Sequence, residues 1–97
     1  MAIEGVPQEL ERLVRKMHDE YTQSEVDIAL ALAEADGPLD VEELAEATGY
    51  TERTIRKRVG TLEEQLRGPP LLDRDEDGRP VLHPAFARAL RTIEPEG

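Results

Sequence analysis

The chain has 97 residues, 38% of them apolar, with 22 acidic side chains against 12 basic ones and a formal net charge of −10. That length suits one small domain with a single hydrophobic core, and the lack of cysteine excludes a disulfide framework and any thiolate metal site. No apolar run approaches the roughly 18–20 residues of a membrane helix. With only Tyr21, Tyr50 and Phe86 as aromatics, the core must be mostly Leu, Val, Ile and Ala.

Residues 1–6 have neither the basic start nor the apolar stretch of a signal peptide, so a soluble cytoplasmic protein is expected. The first amphipathic segment covers residues 7–20. Pro7 suits a first helical position, and Leu10, Leu13, Val14, Met17 and Tyr21 recur at helical spacing. The segment precedes the minimal helical core, which leaves two uses for its stripe: packing on that core, or pairing with its own copy in a homodimer. A second helix is expected over 22–36. Thr22 and Glu25 have capping-box spacing, Val26, Ala29, Leu30 and Ala33 supply the stripe, and Gly37-Pro38 stops it.

Residues 40–66 carry the most information. Asp40 and Glu43 form another capping box, Leu44 and Ala45 face inward, and Gly49 stands where a helix C-cap requires a left-handed residue. Thr51 then caps a helix running to residue 66. In it Ile55, Val59, Leu62 and Leu66 recur at steps of four, three and four, while Arg53, Arg56 and Lys57 fall on the other side. Two capped helices, a glycine turn and basic residues at the exposed start of the second helix make a helix-turn-helix.

Gly68-Pro69-Pro70 cannot continue that helix. Residues 71–74 and 79–83 flank Asp75-Glu76-Asp77-Gly78, whose Asp-Gly pair signals a hairpin, and Pro80 restricts its strand to an edge or to its first residues. A hairpin at 71–83 directly after the basic helix is the wing of a winged helix. Residues 84–93 close the domain as a helix with Phe86, Leu90 and Ile93 on one stripe, and residues 94–97 are expected to fray. The expected fold is mainly α with a short β-hairpin: a winged helix-turn-helix with a three-helix core over 22–67, a wing, and extra N- and C-terminal helices.

Charge is unevenly distributed along this plan. Residues 21–50 hold eight acids and no Lys or Arg, whereas residues 51–67 hold five basic side chains and three acids. One positive patch therefore sits on an otherwise negative chain. Ten of the twelve basic residues are arginine. An acidic surface almost without lysine resembles the proteins of salt-accumulating archaea, although an ordinary acidic domain under GC-rich coding has the same composition. At roughly 1 M salt the Debye length is about 3 Å, so distant carboxylates are scarcely felt at the patch.

Residues 62–74, L-E-E-Q-L-R-G-P-P-L-L-D-R, followed by residues 78–85, G-R-P-V-L-H-P-A, resemble the DNA-binding domain of LysR-type and ModE-type regulators. That domain shows L-E-x-x-L-G-x-x-L, then Phe or Leu, then x-R, a short wing, and L-T-x-A-G. Glu43-Leu44-Ala45 and Thr54-Ile55 fit the same template. One extra residue between Leu66 and Leu71, His83 for Thr and Phe86 for Gly are departures from it. The resemblance covers about residues 24–93 and implies double-stranded DNA as partner, with the first turns of helix 51–66 in the major groove. No effector-binding domain follows, so ligand sensing of the LysR kind is not expected. By the same resemblance Thr51, Arg53 and Thr54 make the earliest contacts and Arg56 and Lys57 lie one turn on; Arg reads guanine bidentately and Thr contacts base or phosphate.

Other residues have competing readings. The helix cations also suit a solvated face paired with Glu52, Glu63 and Glu64. Arg58 belongs to the basic run, but its place beside Val59 on the buried stripe suits a structural role. Arg74 and Arg79 flank the wing tip and can reach phosphate or a minor groove, while Asp73, Asp75, Glu76 and Asp77 on the same turn repel phosphate. Gly60 weakens its helix, for close packing or for backbone approach. His18 and His83 lie in different elements, so no metal site is expected, and His83 is placed to cap the last helix. Asp73, Asp75, Asp77 and Gly78 copy the start of a calcium loop, yet loop position 12 is Pro84. With no phosphate loop, nucleophile motif or acid–base pair, neither enzymatic activity nor a cofactor is expected. Two functions remain. One is a homodimeric transcription regulator binding DNA through Thr51, Arg53, Thr54, Arg56, Lys57 and Arg58, with Arg74 and Arg79 secondary. The other is a winged helix that docks a protein partner in a transcription or replication assembly, which the charge and the acidic wing suit.

Overall fold

The computed structural model describes residues 8–35, 37–67 and 71–92. The expectations placed on residues 1–7, on Asp36 as the end of the second helix, on Gly68-Pro69-Pro70, on Ile93 and on residues 94–97 lie outside the described residues. The elements follow in the order α1 (Gln8–Glu20), α2 (Gln23–Ala35), α3 (Val41–Thr48), α4 (Glu52–Gln65), β1 (Leu72–Arg74), β2 (Pro80–Leu82) and α5 (Pro84–Thr92). The architecture is mainly helical, with a small antiparallel hairpin between α4 and α5.

Helix α2 packs against every other helix and against β2. Its capping box forms as the spacing predicts: the Thr22 N–H donates to Glu25 Oε1 at 3.0 Å, and the Glu25 N–H donates to Thr22 Oγ1 at 3.4 Å. Three of the four residues of the expected apolar stripe, Val26, Ala29 and Ala33, are buried, but the stripe was drawn too narrow. Leu30 is only half-buried, whereas Ile28 and Leu32, left out of that stripe, are buried completely alongside Val26, Ala29 and Ala33. A helix covered on most sides has no wide polar face from which to read a phase.

Around α2 the remaining elements contribute to one core. Val14 and Met17 of α1 are fully buried, and α1 packs on α5 and α2, so its stripe serves the core. Helix α5 starts with Pro84 behind a cap: His83 Nδ1 accepts from the Ala85 N–H at 3.1 Å and the His83 carbonyl accepts from the Ala87 N–H at 2.9 Å. Phe86, Ala87, Ala89 and Leu90 are its buried side chains.

The α3–α4 pair follows its local signals closely. Asp40 Oδ1 accepts from the Glu43 N–H at 2.8 Å, and Glu43 Oε1 accepts from the Asp40 N–H at 3.1 Å. Gly49 ends α3 at φ 83°, with its N–H donating to the Ala45 carbonyl. Thr51 Oγ1 accepts from the Thr54 N–H at 3.2 Å, and Ile55, Val59, Leu62 and Leu66 are all buried. Gly60 is exposed, and a β-carbon there would meet nothing within 4 Å. The fold therefore does not use it for close packing.

In the hairpin Leu72 pairs with Leu82, Asp73 with Val81 and Arg74 with Pro80. The turn is closed by the Gly78 N–H donating to the Asp75 carbonyl, with Gly78 at φ 80°. Pro80 opens β2, where its missing N–H is tolerated, and its carbonyl accepts from the Leu39 N–H at 3.2 Å. That bond ties the hairpin to the segment entering α3. Among the described residues no helix is long and apolar enough to cross a membrane.

Leu44, fully buried, is the residue that seats α3 on the core. Replacing Leu44 with Ala is expected to lower the unfolding free energy by about 2–5 kcal/mol, and Asp40→Ala by about 1 kcal/mol through the lost cap. Urea titration followed by circular dichroism measures both; a Leu44→Ala change within error of zero would mean that α3 is not anchored this way.

Candidate nucleic-acid interface

The start of α4 is held from both sides. Thr51 caps it in an extended conformation, with φ −72° and ψ 157°, and its hydroxyl also donates to Thr54 Oγ1 at 3.0 Å. One residue earlier, the Tyr50 hydroxyl donates to Asp27 Oδ2 at 2.6 Å, while Gln23 Nε2 donates to Asp27 Oδ1 at 2.8 Å. The bond to a carboxylate, together with desolvation and the charge of Asp27, raises the Tyr50 pKa above its ordinary value. It pins the α3–α4 turn to α2, so the exit direction of α4 is set by a tertiary contact as well as by the cap.

Of the residues singled out from the sequence, Thr51, Arg53, Arg56 and Lys57 are exposed, and Thr54 and Arg58 are half-buried. No described part of the chain covers this face. Arg53, Arg56, Lys57 and Gly60 share it, because their spacings keep them within about 100° of arc at about 100° per residue. Intrahelical neutralisation is realised only at Arg56, whose Nη2 lies 3.2 Å from Glu52 Oε1 with side chains 64% and 50% exposed. An exposed pair of this kind is worth little and is easily exchanged. Arg53, Lys57 and Arg58 form no ion pair with any described residue.

The hairpin cations are disposed differently. Arg74 donates from Nη1 to the Gly78 carbonyl at 2.9 Å and from Nη2 to Glu63 Oε1, which links the hairpin to α4. Arg79 donates from Nε to Asp75 Oδ2 at 2.8 Å and from its backbone N–H to Asp75 Oδ1 at 2.8 Å; its Nη2 lies 3.6 Å from Asp77. Both arginines are engaged within the hairpin and its junction with α4, so neither projects from the tip as a free cation. Glu76 and Asp77 are exposed there. The oxygens of Asp75 accept from the chain's own donors, and no three acidic, His or Cys side chains converge as a metal site among the described residues.

A second surface feature is a shallow groove between α2 and α3. Ala31, Ala35, Leu39 and Ala47 line it together with Glu34, Glu43 and Glu46. The sequence reading did not find this groove, nor the Tyr50–Asp27 and Arg74–Glu63 links. The linked residues are separated by 23 and 11 positions, beyond the reach of any helical or strand period. Comparison of the chain with family models, curated proteins and solved structures finds no match.

The hairpin turn carries its own pH signature. The Arg79 backbone N–H, followed by its guanidinium and the Asp77 N–H, lowers the Asp75 carboxyl pKa below the ordinary value of 3.8 despite partial desolvation. A depressed acid stabilises in full above its unfolded value, and the contribution disappears as pH falls through the folded one. The Asp75 carboxyl carbon is thus expected to titrate with a midpoint below 3.8 by NMR. Exchange protection of the Arg79 amide should weaken over the same acid range. A midpoint at or above the ordinary value would refute the turn geometry.

Proposed function

We propose that this chain is a winged helix-turn-helix that binds double-stranded DNA sequence-specifically, as a homodimeric transcription regulator, with α4 in the major groove and the hairpin as its wing. The observation that carries this reading is the uncovered α4 face bearing Arg53, Arg56 and Lys57, two of which have no acidic partner among the described residues. The resemblance to LysR-type and ModE-type domains supports the same assignment. Thr51 and Thr54 stand at the entering end, where the hydroxyl and the helix N-terminus suit phosphate. Arg53 and Lys57 face base edges, Arg56 joins them by exchanging Glu52 for DNA, and Arg58 braces the backbone side. Arg74 and Arg79 hold the wing's shape and are at most secondary contacts. The acidic, lysine-poor surface fits a host that accumulates salt, where screening mutes repulsion between the distant carboxylates and phosphate.

A second reading is a winged helix that docks a protein partner. The acid-lined groove between α2 and α3 and the exposed acidic tip favour it. Selection from random duplex DNA separates the two: a recovered consensus supports the regulator, and no enrichment at any salt concentration supports docking.

On the selected site, Arg53→Ala with Lys57→Ala is expected to weaken binding by at least about tenfold, since each base contact of this type contributes about 1–3 kcal/mol. Unchanged affinity in a folded variant would sink the α4 assignment. Three free cations per protomer, six in the dimer, limit the salt slope of log K to roughly −5, and screening of the carboxylates makes it shallower. Fluorescence anisotropy across salt concentrations measures it; a much steeper dependence would point to a broad phosphate-binding surface that α4 does not provide. Light scattering on the intact chain tests the dimer. Deleting the first helix is a poor test, because Val14 and Met17 belong to the core.

A further inference from the structure

Gly60 is the one glycine inside a described helix, and nothing in the fold calls for it. It lies in the interior of α4, where glycine costs helix stability of about fivefold in the folding equilibrium constant relative to alanine. Nothing approaches it: a β-carbon would meet no atom within 4 Å, and its backbone is not in the left-handed region that favours glycine. Its direction is informative. At about 100° per residue Gly60 points within about 20° of Arg53 and between Arg56 and Lys57, about 130° from the middle of the stripe of Ile55, Val59, Leu62 and Leu66. The bare position is therefore exposed and central among Arg53, Arg56 and Lys57.

We infer that Gly60 is the point at which the sugar–phosphate backbone of bound DNA passes closest to α4, touching the helix backbone where a side chain would hold it away. This rests on the DNA reading above and deepens it by assigning a steric role on the same face. Helix side chains extend several ångströms beyond the backbone cylinder of about 2.3 Å radius, so a missing one opens a notch in the surface. The Gly60 N–H is used within the helix, which leaves van der Waals and weak C–H contacts as the interaction there. Arg56 and Lys57, one turn earlier, flank the notch, and the exposed Glu64 stands one turn later, so the two cations set which side of the notch a phosphate favours.

The test pairs stability with binding. Gly60→Ala is expected to unfold at higher urea concentration than the parent, by about fivefold in the folding equilibrium constant, and yet to bind the selected duplex about tenfold more weakly. Gly60→Leu should bind more weakly still, and Gln65→Ala, exposed off that face, should bind as the parent does. Overturning results are a Gly60→Ala chain that is more stable and binds equally well, or one that is less stable, since the glycine would then serve the fold. A parent chain that selects no duplex removes the DNA reading and this inference together, and is told apart from the first two by the parent measurement alone.

Discussion

The structure depends on the burial of α2. Ala29 and Ala33 on this helix are fully buried, and small side chains there let neighbouring helices approach a backbone that touches all of them. The same position creates an electrostatic demand. The carbonyls of the last turn of α2 have no intrahelical partner, and α2 has no basic residue in that turn. Arg91 of α5 meets the demand from outside, donating from Nη1 to the Ala33 carbonyl at 2.8 Å. A cation at a helix C-terminus also suits the macrodipole. The α2–α5 contact thus joins the segment before α3 to the end of the chain through packing and a charge-assisted hydrogen bond.

From that centre the geometry of the exposed face follows by short links. Asp27 on α2 accepts from Tyr50 in the α3–α4 turn; the Pro80 carbonyl accepts from Leu39 just before α3; Arg74 joins the hairpin to Glu63 on α4. Each link joins an element to one at least eleven residues away, and together they hold α4 between the core and the hairpin. A contact face on a helix so restrained is preorganised, which limits the ordering cost of any partner it meets. The acidic turn of the hairpin is self-contained, since Asp75 accepts from Arg79 and Asp77 while Glu76 remains in solvent.

What could be read from the sequence was what local chemistry decides. The boxes at Thr22 and Asp40, the caps at Thr51 and His83, the left-handed Gly49 and the stripe Ile55–Val59–Leu62–Leu66 each need residues no more than four apart, and each is present. Leu30 failed as a core residue because α2 is enclosed, so its phase is set by neighbours and not by its own pattern. Arg74 and Arg79 were expected as secondary contacts beside the acids of their own turn; the structure pairs Arg79 with two of those acids, Asp75 and Asp77, and Arg74 with Glu63 on another element. Runs of charge show where cations occur; only the folded chain shows which are already paired.

If α4 reads DNA as proposed, the pairing pattern constrains how it does so. Arg53, Lys57 and Arg58 are the α4 cations without an acidic partner among the described residues, and the half-buried Arg58 is the least accessible of them. At about 2 kcal/mol each, the middle of the usual 1–3 kcal/mol range, four contacts from so narrow a face, Arg56 included, fall short of the roughly 11 kcal/mol of nanomolar-range specific binding. The net charge of −10 denies the usual supplement of non-specific phosphate attraction. A two-fold copy resolves the shortfall on the proposed reading, because it doubles the base contacts while association of the second face becomes intramolecular. On that reading the proposed dimer and the sparse charge of α4 belong together, since a second copy supplies the contacts that one face lacks.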